Sequence, residues 1–125
     1  MSEADILTVL GEEGITELVA AFYRRVRTDE LISPMYPDED WEGAENRLAG
    51  FLIYRFGGSD AYIQDRGHPR LRMRHTPFSI GVAERDRWLE IMGAAMDEVA
   101  VPKEIYLNLK TFFEQVADFM RNREG

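Results

Sequence analysis

Both histidines of the chain lie in one short run, Arg66-Gly67-His68-Pro69-Arg70-Leu71-Arg72-Met73-Arg74-His75, continued by Thr76-Pro77-Phe78. Four arginines stand from Arg66 to Arg74 with no acid among them, in a protein of 15 basic and 23 acidic side chains and net charge −8. A neutral imidazole nitrogen ligates metals, and a guanidinium grips a carboxylate or phosphate through forked hydrogen bonds. A ligand that is at once a metal and an anion would use both. The plain alternative for the arginines is a solvated face paired with nearby acids, because a short helix cannot point all four one way.

Counting ligands narrows the metal. Two histidines seven residues apart are not a zinc spacing, and zinc takes about four ligands. No Glu-x-x-His pair is present for a carboxylate-bridged iron site. Haem asks for one protein ligand on its iron and brings two propionate carboxylates, which suits a lone histidine among arginines. His75 is the candidate ligand, against the alternative of a core or helix-end histidine that caps carbonyls. His68, beside Pro69, reads as a surface or capping residue. Tyr23, Tyr36 and Trp88 each carry a polar hydrogen that needs a partner if buried. Aromatics beside a helical stripe are usually core, but three such donors in one small core suggest a pocket with something to bond. The six methionines are scattered and read as gap-fillers.

The elements that must hold these residues are helical. Ser2 and Asp5 read as a weak capping box opening a short helix with Ile6, Leu7 and Leu10, closed at Gly11. Ile15, Leu18, Val19, Phe22 and Val26 recur at three- and four-residue steps and form one apolar stripe, bordered by Tyr23. Leu31 and Ile32 predict a single turn stopped by Pro34 and Pro37. Asp38, Glu39 and Asp40 suit a helix N-terminus, followed by a stripe of Trp41, Ala44, Leu48, Phe51, Leu52 and Phe56 that ends at Gly57-Gly58. Residues 59–70 read as an irregular connection with one turn at Asp60 to Ile63. Pro69 can open a helix that sets Leu71 and His75 four apart on one face, and Pro77 stops it. Leu89, Met92, Ala95, Met96 and Val99 mark a longer helix with Trp88 on an adjoining edge. Pro102, at a first helical position, introduces the last, with Ile105, Leu109, Phe112, Phe113, Val116 and Phe119 as its stripe. The spacing predicts an all-α chain of four substantial helices and several short ones, forming one domain over 1–125.

Composition sets the outer bounds. Apolar residues make up 45% and charged residues 30% of the 125 positions, which fits a soluble globular protein. No apolar run approaches the roughly 18 residues of a membrane helix, and no signal sequence is visible. Zero cysteines exclude disulfides, thiolate catalysis and iron–sulfur clusters. A cytoplasmic location is the expectation. The acidic balance argues against nucleic acid as a partner, since phosphate affinity needs basic surface.

The chain resembles a group II truncated haemoglobin of the actinobacterial haemoglobin O type. The resemblance rests on Phe22-Tyr23, Met35-Tyr36-Pro37, Gly43-Ala44-Glu45, Arg47-Leu48, Phe51-Leu52, Gly57-Gly58, the run from Arg66 to His75, and Glu84-Arg85-Asp86 with Trp88-Leu89. The spacing of thirteen residues from His75 to Trp88 is specific to it. The resemblance implies a two-over-two helical sandwich around haem b, with an extended loop near 59–70 replacing most of one helix. It implies His75 as the iron ligand, and Tyr23, Trp88 and Tyr36 as hydrogen-bond donors on the ligand side. Ala44 would leave a small side chain at the pocket entrance, with Phe22 beside it and Leu48 over the ligand-side face. Leu71 and Phe78 would pack on the proximal side and Met92 against the cofactor, while Arg47 and Arg74 would meet the propionates. Two departures stand out. Glu12 follows Gly11 where the family often has a second glycine, and Tyr54-Arg55-Phe56 replaces a more aromatic helix end.

What the resemblance implies about function is reversible binding of oxygen, nitric oxide or carbon monoxide at a five-coordinate ferrous haem, with slow oxygen release. The rival is an enzyme, a nitric oxide dioxygenase or a peroxidase-like catalyst, that would draw on an external reductase. A haem-free helical sensor or scaffold is the third reading. Oligomeric state is open, a homodimer among the options.

Overall fold

The structure, a computed structural model, describes residues 5–36, 40–66 and 80–121, without the side chains of 62, 65 and 66. Among the described residues there are five α-helices and no strand: α1 (Ile6–Val26), α2 (Trp41–Arg55), α3 (Ala61–Arg66), α4 (Val82–Glu98) and α5 (Lys103–Met120). A 3₁₀ turn, Ser33–Met35, lies between α1 and α2. Helix α1 packs on α2 and α4, α4 on α5, and α2 on the short α3. Helix α1 also touches α5, so it is the element that the other three long helices share, and the apolar stripes meet around it.

Ile15, Leu18, Val19, Phe22 and Val26 are all at most 1% exposed, so the whole stripe of α1 is core. The early break comes at Gly11, whose φ of 71° and ψ of 169° interrupt one long helix. Such a backbone favours glycine. The Ser2 half of the expected capping box lies outside the described residues.

Helix α2 ends in a Schellman motif. The Gly58 amide bonds the Ile53 carbonyl at 2.8 Å and the Gly57 amide bonds that of Tyr54 at 3.0 Å, with Gly57 at φ 96°. The same motif closes α4, where Val101 reaches Met96 at 3.1 Å and Ala100 reaches Asp97 at 3.2 Å. There the left-handed position holds an alanine, Ala100, at φ 54°.

Three expectations need correction. Pro34 does not stop the turn after α1; it sits inside the 3₁₀ turn, where a fixed φ and a missing N–H cost nothing in the first positions. Leu31 is 42% exposed and only Ile32 is buried. On α5 the stripe runs through Ile105, Leu109, Phe112 and Phe113 and then turns onto Ala117 and Met120, leaving Phe119 59% exposed. A helix of 3.6 residues per turn carries position 119 off the face that 109, 113 and 117 define. The connection expected over 59–70 begins as the six-residue helix α3.

Candidate functional site

Tyr23 lies on the last full turn of α1, one position from the buried stripe, and is 4% exposed. Tyr36 follows the 3₁₀ turn directly. Ala44 and Leu48 stand one turn apart on α2, and Trp88 lies in the second turn of α4. The fold brings these separate pieces together through aromatic contact. Ring centroids of Tyr23 and Tyr36 are 5.5 Å apart and nearly perpendicular. Phe22 touches Tyr23 at 5.0 Å and Trp88 at 5.1 Å, both edge to face. Trp88 goes on to Phe113 at 5.7 Å, and Tyr36 to Trp41 at 5.5 Å. Edge-to-face pairs at these distances are favourable beyond their buried area.

Three polar hydrogens converge inside this cluster. Burial is the largest cause raising the Tyr23 phenol well above the ordinary tyrosine range, and the neighbouring Tyr36 adds to it by charge and by hydrogen bonding. Arg47 pulls the other way and Glu45 adds slightly. Burial likewise raises Tyr36, offset in part by hydrogen bonds that its oxygen accepts from Tyr23 and from Trp88. Both phenols therefore stay protonated at neutral pH and remain donors. Tyr36 accepts twice, and among the described residues no acceptor takes its own proton. A phenol held in this way can donate to a polar ligand.

Around this cluster Phe22, Ala44 and Met92 are apolar and buried. Ala44 is 5% exposed and Met92 1%, so both are core, and Leu48 packs half-buried against the same core cluster. Met92 also lines a groove of about 430 Å³ between α4 and α5, with Gly93, Tyr106 and Lys110. Arg47 has one partner named here, Asp40 at 2.9 Å, and both side chains are over a third exposed. Such a pair can open to a competing carboxylate at little cost. His75, His68, Leu71, Arg74 and Phe78 lie outside the described residues. Among those described, no group of three or more His, Asp or Glu side chains could hold a metal ion, and no helix is long and apolar enough to cross a membrane.

Two residues at the site escaped the sequence reading. Trp41 counted only as part of a stripe, yet it joins the tyrosine pair and lies under the Arg27 guanidinium at 5.7 Å. Asp29 is buried, with its carboxylate on Arg87 Nε at 2.5 Å and on the Ile32 amide at 2.9 Å. Its signal was available: an aspartate two or three residues before an apolar pair, just past a helix end, is an Asx-turn pattern.

Comparison with known proteins identifies the family. The family described as bacterial-like globin matches residues 8–122. The chain is 39% identical over 114 residues to the group 2 truncated hemoglobin YjbI of Bacillus subtilis, covering 91% of this chain and 86% of that protein. A thermostable haemoglobin of the actinobacterium Thermobifida fusca superposes with a TM-score of 0.89 at 45% identity, over 98% of each chain. A truncated oxygen-avid haemoglobin from Bacillus subtilis does so with a TM-score of 0.87 at 37% identity, over 93% of this chain and 98% of that one.

Proposed function

Because this chain belongs to the bacterial-like globin family as a group II truncated haemoglobin, we propose that it holds haem b through His75 and binds oxygen in a pocket governed by Tyr23, Tyr36 and Trp88, with Tyr36 donating to the ligand while Tyr23 and Trp88 hold its oxygen. The family implies a haem cofactor and diatomic gas ligands. When bound, the haem supplies an iron whose open position takes the gas, and the rest is the work of the side chains. The convergence of three donors, Tyr23 buried and Tyr36 and Trp88 partly so, carries the reading.

Tyr36 is the pivot. With its oxygen accepting from Tyr23 and Trp88, its own proton is directed away from both and can meet a ligand that develops negative charge. Trp88, packed between Phe22 and Phe113, keeps its N–H on the Tyr36 oxygen and so helps to set the direction in which the phenol donates. Ala44 leaves room at the entrance where a larger residue would crowd it. Arg47 on the α2 side and Arg74 would hold the propionates at the rim. The oxygen avidity of the Bacillus subtilis relative supports slow release here as well.

Tyr23→Phe tests it. The change keeps the ring and its packing on Phe22 and removes the hydrogen that orders Tyr36. With that hydrogen gone the Tyr36 hydroxyl is free to turn from the ligand, so what is at stake is its bond to the partly charged gas: roughly 1.5–3 kcal/mol, or about 10- to 150-fold in dissociation rate when the loss falls on release. Stopped-flow oxygen dissociation from the ferrous protein should accelerate within that range, while carbon monoxide, less polar when bound, responds much less. Equal oxygen rates in wild type and Tyr23→Phe would mean the tyrosine takes no part.

A further inference from the structure

We propose that Asp29 and Arg87 form a clamp that positions the donor pair Tyr36 and Trp88, so that ligand affinity is set in part by an ion pair that touches no ligand. The inference rests on the proposed function, because it concerns how those donors are held. Asp29 stands three residues past the end of α1 and is 6% exposed. One carboxylate oxygen accepts the amides of Leu31 and Ile32 at 3.1 and 2.9 Å. Its backbone carbonyl accepts from Ser33 at 3.0 Å. One residue thus fixes both the exit from α1 and the start of the 3₁₀ turn that delivers Tyr36.

The other carboxylate oxygen leaves this segment altogether. It accepts from Arg87 Nε at 2.5 Å, across 58 residues of sequence, and Arg87 immediately precedes Trp88 on α4. Trp88 in turn donates to the Tyr36 oxygen. The result is a closed loop: Asp29 to Tyr36 along the chain, Tyr36 to Trp88 by a side-chain bond, Trp88 to Arg87 along the helix, and Arg87 back to Asp29. Opening the clamp frees the axial rotation of α4 relative to the turn, and with it the angle at which Trp88 meets Tyr36. Arg87 also lies 3.6 Å from Glu90, an exposed side chain on its own helix that fixes nothing across the interface.

A purely structural ion pair would stabilise the fold without tuning the donors, and Arg85 supplies the comparison. It sits two residues earlier on α4 and pairs with Asp86 at 2.7 Å and with Asp118 on α5, away from the segment bearing Tyr36. The test uses the haem-loaded ferrous protein with carbon monoxide, in wild type, Arg87→Gln, Arg87→Lys and Arg85→Gln. Three readouts are taken: the C–O stretching band, the ¹⁵N-indole resonance of Trp88, and the oxygen dissociation rate.

Arg87→Gln should shift or split the C–O band, move the indole resonance, and speed oxygen release roughly 3- to 10-fold. Arg87→Lys, still able to donate one bond to Asp29, should recover most of the wild-type values, and Arg85→Gln should leave all three unchanged. Wild-type band and indole signals in Arg87→Gln, or the same shifts in Arg85→Gln, overturn the clamp. Should Arg87→Gln fold poorly, Asp29→Asn weakens the same contact while keeping an acceptor for the Leu31 and Ile32 amides, and the same outcomes decide. If the wild-type protein takes up no haem, the functional reading fails instead. The Trp88 indole resonance of the haem-free chain, compared between wild type and Arg87→Gln, then judges the clamp alone.

Discussion

Tyr36 shows how much a single residue's surroundings decide. In water its phenol would be one donor among many; here it accepts from Tyr23 and Trp88 and has a hydrogen to give. Burial raises both phenols, so the neutral, donating form persists to higher pH than in a free tyrosine, which ionises near pH 10. Oxygen release should therefore be flat between about pH 7 and pH 9.5, with no step near the free phenol value; a marked acceleration in that window would mean one of the tyrosines has ionised. The linkage has a definite sign, since a pKa raised in the folded state gives stability that is fully present below about pH 10 and is lost as pH climbs through the folded value. The donor identities were legible in the sequence because tyrosine and tryptophan announce their polar hydrogens. Their mutual pairing was not, because it depends on the 3₁₀ turn and on Asp29, which no periodicity records.

At the scale of elements, the stripes of α1, α2 and α4 could be read directly, since 3.6-residue periodicity and burial are one physical fact. What misled was local. A proline such as Pro34 reads as a terminator although the first positions of a 3₁₀ turn accept it, and the spacing of Phe119 extends a stripe that has already turned away from it. The two Schellman ends also differ in legibility: Gly57 marks one plainly, while Ala100 hides the other. A left-handed backbone costs a non-glycine residue roughly 1–2 kcal/mol, and Ala100 bears that cost at φ 54°. Ala100→Gly should recover part of it, about 0.5–1 kcal/mol once glycine's greater unfolded freedom is set against the gain. Thermal unfolding would then shift upward by a few degrees. A lower melting temperature would show that the Ala100 methyl packs usefully or that the end of α4 relaxes.

Over the whole molecule, the four long helices build a core that buries the ligand-side cluster while charged groups ring its edge. The acidic net charge of −8 makes the arginine-bearing run from Arg66 to Arg74 the natural place for a dianionic cofactor to dock. Arg47→Ala and Arg74→Ala should each speed haem transfer to an acceptor apoglobin several-fold, because partly exposed pairs contribute about 1 kcal/mol or less; if neither does, the propionates are held elsewhere. Both should leave the iron's coordination unchanged. The ligand itself is a different matter, because His68 lies seven residues away and Pro69 separates it from the helix expected to carry His75. The most direct measurement is the visible absorption spectrum of the purified protein with one equivalent of haem, reduced, in wild type and His75→Ala. The wild type should give a sharp Soret band of a five-coordinate ferrous histidine-ligated haem that moves on adding carbon monoxide, and His75→Ala should lose that signature. No Soret band in the wild type, or an identical spectrum in His75→Ala, would contradict a gas-binding haem held by this histidine.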